Sequence, residues 1–242
     1  MTIYLKNVQK SYGKRVVVNQ VSVQVSLGEI VGLLGPNGAG KTTTFYMATG
    51  LIRPNDGSVW LNNRDITKLS LNERSHLGIG YLTQQASIFR NLTVQENIEL
   101  VLQQGPLAPK ERHRRLHTLL GEFRLEQVAR TKSRHISGGE RRRTELARAL
   151  ATGSDGPEFL LLDEPFAGVD PIAVSEIQKM VAQLRDRPMG ILITDHNVRE
   201  TLAITDRAYI MREGEILAAG TGDELYNNAL VRQYYLGEDF RI

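Results

Sequence analysis

The chain has 242 residues, with 30 Lys and Arg against 27 Asp and Glu and no cysteine. This length suits one α/β domain with a full hydrophobic core. The absence of cysteine excludes disulfides, thiolate metal sites and cysteine nucleophiles. No apolar run approaches the roughly 18 residues that a membrane-spanning helix requires. The first residues are typical of a strand rather than a signal peptide, so we expect a cytoplasmic protein.

The formal net charge is +3, which is weak support for a nucleic-acid partner. The densest basic runs are Lys110–Arg115 and Arg141–Arg143. We interpret both as solvated helix faces rather than nucleic-acid patches, and we expect no direct contact with nucleic acid.

The N-terminal residues predict an antiparallel hairpin. Ile3–Val8 and the valine-rich Val16–Val25 are strand-like, and Ser11–Lys14 joins them. Tyr12 lies in this connection. An aromatic ring there is either an ordinary hairpin residue or a platform for a nucleotide base, and the hairpin pattern alone leaves both readings open.

A glycine-rich stretch follows the third predicted strand. Gly35–Thr43 reads GPNGAGKTT and matches the pattern G-x-x-x-x-G-K-[ST] of a phosphate-binding P-loop, or Walker A motif. It lies between an apolar strand, Ile30–Leu34, and a predicted helix, Thr42–Gly50, as the motif requires. The sequence therefore predicts a nucleotide site.

The geometry of such a turn explains the chemistry. Its backbone N–H groups and the N-terminus of the helix point at the phosphates. Lys41 reaches the β- and γ-phosphates, and the Thr42 hydroxyl binds Mg²⁺. The predicted phosphate-binding residues are Gly35, Pro36, Asn37, Gly38, Ala39, Gly40, Lys41, Thr42 and Thr43.

A helical block interrupts the strand pattern between the two halves of the chain. Ile79–Thr83 is a predicted strand that ends at Gln84, and from Thr93 to about Ala151 apolar residues recur at helical spacing. Ser137 and Glu140 have the spacing of a capping box before a helix. The same serine and its glycines can form a second anion site. Because the chain holds a single P-loop, this second site suggests a nucleotide shared between two chains.

A strand is predicted again at Phe159–Asp163. Two carboxylates, those of Asp163 and Glu164, lie at its end. Asp163 suits a Mg²⁺ ligand, and Glu164 suits a general base that polarises a water molecule. Asp170 and Pro171 are placed to cap and begin a helix over Ile172–Arg187.

Together these elements predict an α/β fold of the P-loop NTPase type. It has a mostly parallel sheet flanked by helices, an antiparallel β subdomain and an inserted helical subdomain. We expect a single domain over residues 1–242. Its nucleotide-binding core covers about 1–85 and 156–242, and its helical part covers about 86–155.

The motifs, taken in order, resemble those of the ATP-binding cassette (ABC) transporter ATPases. The series is Tyr12, GPNGAGKTT, Gln84, ISGGE at Ile136–Glu140, LLLDEP, AGVD at Ala167–Asp170, and His196. The ISGGE motif departs from the commonest family form, LSGGQ, at its first and last positions. Thr83 also departs from the family, because a proline often precedes the glutamine there.

The resemblance implies a homodimer that binds ATP and Mg²⁺. It implies that Tyr12 stacks on adenine, that Gln84 touches Mg²⁺ or the attacking water, and that His196 contacts the γ-phosphate. It implies that Asp170 signals across the dimer. The residues implied to cover a γ-phosphate bound on the other protomer are Ser137, Gly138 and Gly139.

Four segments resemble, more narrowly, the ATPase subunits of lipopolysaccharide export transporters. They are Tyr81–Ile98, Ile191–Leu202, Asp206–Met211 and the tail Tyr235–Ile242. ATPases of branched-chain amino-acid importers share much of the core and are the alternative, followed by a soluble ABC ATPase that is not a transporter.

The narrower resemblance also implies how the chain meets a membrane. It implies two transmembrane partner subunits that dock near Phe89 and Arg90. The protein would then be peripheral on the cytoplasmic face of the inner membrane and held there through these partners.

Overall fold

The structure, a computed structural model, describes residues 1–236. Most of the predicted tail Tyr235–Ile242 therefore lies outside the described residues. The strands are β1 (Thr2–Tyr12), β2 (Arg15–Ser26), β3 (Ile30–Leu34), β4 (Asp56–Leu61), β5 (Arg64–Asp65), β6 (Ile79–Leu82), β7 (Phe159–Asp163), β8 (Gly190–Thr194), β9 (Arg207–Arg212) and β10 (Glu215–Gly220). The α-helices are α1 (Lys41–Thr49), α2 (Leu71–His76), α3 (Val94–Leu102), α4 (Pro109–Glu122), α5 (Gly138–Leu150), α6 (Pro171–Gln183), α7 (Val198–Leu202), α8 (Gly222–Asn227) and α9 (Ala229–Val231).

The central sheet has six strands in the order β10-β9-β3-β8-β7-β6. All neighbours are parallel except β10, which runs antiparallel to β9. Every residue of β3, β7 and β8 is buried, as expected for parallel strands covered on both faces. The carboxyl ends of these three strands share one edge of the sheet. That edge brings together the P-loop, the Asp163–Glu164 pair and the segment that follows Thr194.

A second sheet of four strands, ordered β2-β1-β4-β5, is antiparallel throughout. The predicted hairpin is confirmed, and Tyr12 pairs with Arg15 beside its turn. Inward residues of this sheet share a core with α1 through Phe45 and Met47. The helix that begins at the P-loop is therefore packed between the two sheets.

The predicted helical block forms α3, α4 and α5, which come between β6 and β7 in the chain. Ile98, Leu119, Phe123 and Leu146 are fully buried in the core that these helices share with the central sheet. The fold class is confirmed. The division into a core and a helical part at residues 86 and 155 stays a prediction.

The interpretation of both basic runs as solvated faces is wrong for one member of the first run and two of the second. The Arg143 side chain is 14% exposed and pairs with Glu176 (2.8 Å). Arg142 is 5% exposed. Arg115 is half-buried and donates hydrogen bonds to the carbonyls of Leu150 (3.2 Å) and Asp155 (3.1 Å). Arg115 and Arg142 lie on the inner sides of their helices, where the planar guanidinium satisfies main-chain oxygens.

The sixth helix ends earlier than predicted. We expected it to reach Arg187, but α6 ends at Gln183 and continues only as one 3₁₀ turn, Leu184–Asp186. Arg187 precedes Pro188 and has extended backbone angles. A residue before proline is disfavoured in the helical region, which accounts for the difference.

Asn97 of α3 is fully buried and holds the loop that carries Phe89. Its amide accepts a hydrogen bond from Phe89 N (2.9 Å) and donates to Phe89 O (3.1 Å) and to the Ser133 hydroxyl (3.0 Å).

Asn97→Ala leaves these buried groups unpaired, and we expect it to lower the free energy of unfolding by about 2–3 kcal/mol. Chemical denaturation measures this loss. The matched control is the exposed Asn91 of the same loop, whose change to Ala should cost less than about 0.5 kcal/mol, and equal losses for the two variants would contradict the assignment.

Candidate functional site

The glycine-rich stretch forms the turn between β3 and α1, as predicted. Gly38 has φ +80° with open space where a Cβ would stand, and Gly40 has φ +97° immediately before the helix begins at Lys41. Such left-handed angles favour glycine and turn successive N–H groups toward one concave surface. The N-terminus of α1 adds its own unpaired N–H donors to that surface.

The Lys41 ammonium is folded back onto this turn. It donates to the carbonyls of Gly35 (2.7 Å) and Pro36 (3.0 Å) and is 7% exposed. Burial lowers the pKa of Lys41, and the carboxylates of Glu164 and Asp195 oppose that shift. The cation is thus held over the loop beside the carboxylates that follow β7 and β8.

Asp163, at the end of β7, is 1% exposed. Neither of its buried carboxylate oxygens has a hydrogen-bond partner within 3.5 Å among residues 1–236, although the Tyr46 and Tyr81 hydroxyls lie near enough to lower its pKa. Burial, reinforced by the neighbouring Glu164, raises the pKa of Asp163 to about 6. A buried, unpartnered carboxylate is what a bound cation would satisfy, and Mg²⁺ prefers such oxygen ligands. The Asp163 site therefore fits a magnesium ion, with the exposed Thr42 hydroxyl at the start of α1 as a second protein oxygen.

Glu164 and His196 lie together at the edge of the sheet. The distance from His196 Nδ1 to Glu164 Oε2 is 3.4 Å, and the same nitrogen is 3.4 Å from Asp195 Oδ1. The Glu164 N–H donates to Thr194 O (2.7 Å), which joins the ends of β7 and β8. The Glu164 side chain is 20% exposed and the His196 side chain is 60% exposed, so both can reach a bound ligand.

Asp195 is a site residue that the sequence analysis did not single out. It is fully buried, and its carboxylate accepts hydrogen bonds from Asn197 N (2.9 Å) and Phe166 N (3.3 Å). Burial raises the pKa of Asp195. Its position directly before His196, at the end of a buried strand, was the one signal in the sequence that pointed to it.

Tyr12 lies at the tip of the first hairpin and is 53% exposed. The Lys10 ammonium is 5.6 Å from the centre of its ring. An exposed ring at a hairpin tip is available for stacking on a planar base.

The capping box at Ser137 is confirmed. Its hydroxyl accepts from Glu140 N (3.2 Å), and the Glu140 carboxylate accepts from Ser137 N (2.8 Å). Gly139 packs so closely that a Cβ on it would lie 2.9 Å from Ala173 Cβ at the start of α6. The structure therefore brings this motif to the segment of Asp170, whose carboxylate caps α6 at Ile172 N (3.1 Å) and Ala173 N (3.0 Å).

Gln84 is exposed two residues beyond the end of β6, at the same edge of the sheet as Glu164. It follows Thr83, whose carbonyl accepts a hydrogen bond (2.9 Å) from the buried Arg142 of α5. Arg142 also donates to the carbonyls of Asp163 (3.1 Å) and Glu164 (2.7 Å). One guanidinium thus joins the helix of the ISGGE motif to the two loops that carry Gln84 and Glu164, a link that sequence reasoning missed.

Residues 18–167 match the family model described as ABC transporter. The match covers more than half of the chain and includes the P-loop, the ISGGE motif and the Asp163–Glu164 pair. The chain belongs to the ABC transporter family. As a member with this ATP-binding domain, it is an ATPase of the kind that powers transporters.

Three relatives extend over nearly the whole chain, and each is named as the ATP-binding protein LptB of a lipopolysaccharide export system. The protein from Acidithiobacillus ferridurans is 56% identical, covering 96% of this chain and 95% of its own length. The Haemophilus influenzae protein is 52% identical and covers 98% of each chain. The Escherichia coli K12 protein is 51% identical, covering 100% of this chain and 99% of its own length.

Solved structures of ABC cassettes share the fold. An ATP-binding cassette of an ABC transporter in its ADP conformation matches with a TM-score of 0.85 and 28% identity, covering 98% of this chain and all of its own. A dimeric cassette in a post-hydrolysis state with ADP and Pi matches with a TM-score of 0.78 and 28% identity, covering 90% of this chain and 98% of its own. Within residues 1–236, no helix combines the length and the apolarity needed to cross a bilayer.

The buried carboxylate of Asp163 predicts a pH dependence of stability. Its pKa is about 6 in the folded protein against 3.8 for the free side chain, so the native state holds its proton more strongly. Without Mg²⁺, stability should therefore fall as the pH rises from about 4 to 6, by roughly 3 kcal/mol for two pKa units. Asp163→Asn stays neutral, so we expect it to be more stable than the wild type at pH 7.5 and equal to it near pH 4.

Denaturant unfolding in EDTA at both pH values measures this difference. Asp186→Asn, an exposed aspartate on the turn after α6, is the matched control and should change little at either pH. An Asp163→Asn variant less stable than the wild type at pH 7.5 would show that the carboxylate is satisfied in the metal-free protein.

Proposed function

We propose that this chain is the ATP-hydrolysing subunit of an ABC transporter that exports lipopolysaccharide from the inner membrane. The observation that carries the chemistry is the meeting of Lys41, Asp163, Glu164 and His196 at one edge of the sheet. The cargo assignment is supported by three relatives that are 51–56% identical over nearly full length. They favour lipopolysaccharide export over branched-chain amino-acid import and over a soluble role.

ATP binds along the concave face of the P-loop in this proposal. Tyr12 stacks on adenine, and the N–H groups of residues 35–43 surround the phosphates. The Lys41 ammonium exchanges its two carbonyl partners for the β- and γ-phosphate oxygens, which are stronger acceptors for a cation. Asp163, Thr42 and Gln84 are the residues that would hold Mg²⁺, which neutralises charge on the phosphates when it is bound.

Glu164 is the proposed general base. Its carboxylate accepts a proton from the water that attacks the γ-phosphorus, while the bond between the γ-phosphorus and the β,γ-bridging oxygen breaks and releases ADP and phosphate. His196 lies 3.4 Å from this carboxylate, where it can orient Glu164 and donate to the γ-phosphate. The left-handed backbone of Glu164, with φ +46°, fixes the direction of the side chain.

A homodimer completes the site. Ser137 and Gly138 are exposed at the N-terminus of α5, and Asp170 is exposed close by at the start of α6. The sequence holds a single P-loop, so we expect the γ-phosphate for Ser137, Gly138 and Gly139 to come from a second copy. A dimeric cassette bound to ADP and Pi among the similar structures supports this arrangement.

A groove beside Phe89 is the proposed docking place for two transmembrane subunits. A cavity of about 310 Å³ lies between α2, β6, α3 and α5, with Leu71, Tyr81, Val101 and Arg148 in its lining. The Phe89 ring stands at 48% exposure, 5.0 Å from the Arg148 guanidinium. Arg90 is exposed next to it. A partner helix that covers this aromatic and fills the groove would hold the chain at the cytoplasmic face of the membrane.

Glu164→Gln tests the chemistry. Loss of a general base should lower the ATPase rate of the transporter by about 10²- to 10⁴-fold while ATP still binds. The exposed Glu126, changed to Gln, is the matched control and should keep the wild-type rate. Turnover and ATP affinity, measured on the purified transporter, report the two effects. ATP turnover by Glu164→Gln at the wild-type rate would reject the assignment of Glu164 as the general base.

Phe89→Ala tests the docking groove and the cargo together. Affinity purification of the wild-type chain from its own membranes, followed by mass spectrometry, should recover two membrane subunits of lipopolysaccharide export. We expect Phe89→Ala to lose most of that recovery, because the ring is an exposed apolar anchor. Leu51→Ala is the control, since Leu51 is 45% exposed outside the groove.

The outcomes of this purification separate the two assignments. Equal recovery with Phe89→Ala and wild type would reject the groove alone. Recovery of importer permeases would reject the cargo and keep the ATPase, whereas ribosomes or DNA in place of membrane subunits would reject transport.

A further inference from the structure

Arg74 of α2 is a fully buried guanidinium with all of its bonds to the main chain. Nη1 donates to Met47 O (2.8 Å) and Ala48 O (2.7 Å). Nη2 donates to Ile66 O (2.8 Å) and Thr67 O (3.4 Å), and Nε donates to Leu69 O (3.1 Å). Arg74 is 0% exposed. Burial lowers the pKa of Arg74 to about 10, so it remains a cation at neutral pH.

These acceptors belong to two different parts of the molecule. Met47 and Ala48 lie in the last turn of α1, where free carbonyls and the helix dipole favour a cation. The other three carbonyls lie in the loop between β5 and α2. That loop is fixed to β4, because Ile66 N donates to Val59 O (2.8 Å).

Gly50, which ends α1, makes room for this guanidinium. It has φ +82°, and a Cβ on it would lie 2.8 Å from Arg74 Nε and 2.8 Å from Leu69 O. Both the left-handed angle and the close approach require glycine. A side chain at position 50 would therefore displace the Arg74 guanidinium from the end of α1.

The chain after α1 continues this link to the tip of the first hairpin. Asn55 N donates to Gln9 O (2.7 Å), and Ser11 N donates to the Asn55 side chain (2.8 Å). Lys10 donates to Arg53 O (2.8 Å). Tyr12 follows directly. The end of α1, which Arg74 binds, is thus joined to the strand that carries Tyr12 by the main chain of residues 50–53 and by these hydrogen bonds.

We infer that Arg74 is a positioning residue that sets the separation between the adenine platform at Tyr12 and the phosphate-binding start of α1. This inference rests on the nucleotide site of the proposed function. Within it, Arg74 touches no ligand and acts through α1 and the β1 strand. ATP gains binding free energy from both the adenine platform and the phosphate loop only when the distance between them matches the length of the nucleotide.

A purely stabilising role is a poorer explanation of the same contacts. Among residues 1–236 no carboxylate forms a salt bridge with Arg74, and the Asp65 charge acts on it only from farther away. Burying such a guanidinium carries a large desolvation cost, and apolar side chains of similar volume often serve stability as well. The planar fork instead fixes several acceptors in one geometry, which an apolar side chain cannot do. The hydrogen bonds of Arg74 therefore fix the position of α1 relative to the loop between β5 and α2.

The test is a double-mutant cycle between Arg74 and Tyr12. The affinities of Mg–ATP and Mg–tripolyphosphate are measured by calorimetry in the Glu164→Gln background, which should hydrolyse ATP about 10²- to 10⁴-fold more slowly. Tyr12→Ala should weaken ATP about tenfold when Arg74 is present, the loss expected for one base–aromatic stack. In the Arg74→Met background the same change should weaken ATP by about twofold or less.

Two further readouts separate positioning from stability. Arg74→Met should weaken ATP about tenfold and tripolyphosphate, which lacks the adenine end, by less than about twofold. Arg64→Met is the matched control, because Arg64 is an exposed arginine of the adjacent strand β5 and is not part of the link described above. It should leave both affinities unchanged. Arg74→Lys keeps the charge with fewer donors, should give intermediate values, and replaces Arg74→Met in the cycle if the latter does not fold.

Additive effects of the Tyr12 and Arg74 changes would overturn the inference, as would equal losses of ATP and tripolyphosphate. If Tyr12→Ala has no effect with Arg74 present, the adenine platform of the proposed function is wrong and the inference falls with it. A failure confined to the cycle leaves the proposed site intact, so the two failures are distinguishable.

Discussion

Negative charge is concentrated at the carboxyl edge of the central sheet, and the site depends on how this charge is balanced. Asp163 and Asp195 are buried there with raised pKa values, and Glu164 is close enough to act on both. Burial lowers the pKa of Lys41, the charges of Glu164 and Asp195 oppose that shift, and the Arg142 cation lies near Asp163. A polyphosphate alone would add to the excess negative charge. The edge is therefore suited to an anion that arrives with its own cation, which is the form in which ATP–Mg²⁺ binds.

Two buried arginines hold the elements around the site together. Arg142 ties the ISGGE helix to the carbonyls that follow β6 and β7. Arg74 ties the far end of the P-loop helix to the antiparallel part. Most of their bonds go to main-chain oxygens, so each fixes a loop or a helix end, and Arg142 also pairs with the Glu145 carboxylate (3.1 Å). A displacement of α5 would therefore be transmitted to the loops of Gln84 and Glu164 together.

Local signals were enough to predict much of the fold. The P-loop, the capping box at Ser137 and the cap at Asp170 each depend on a few neighbouring residues, and the structure has all three where the sequence predicted them. The parallel sheet followed from apolar strands separated by helices.

The buried arginines were not predictable in the same way. Helix α5 carries three consecutive arginines, and the single sequence does not show which of them turns inward, because a long side chain can reach water from a largely buried helix. Arg74 lies in a short helix whose apolar pattern is weak, and its partners come from residues 47–69, so its role depends on tertiary contacts. The roles of the site residues toward ATP and Mg²⁺ likewise depend on a ligand, and they stay proposals.

The left-handed backbone of Glu164 has an evolutionary consequence. A glutamate with φ +46° carries strain on the order of 1 kcal/mol, which glycine or asparagine would relieve. Glycine and asparagine, which cannot act as the proposed base, are therefore the replacements that the fold tolerates best at this position. An inactive chain of this kind would accumulate well in the cell and compete for partners with the active one. Selection against glycine or asparagine at this position would then act through loss of transport, because variants that fold stably are not eliminated for misfolding.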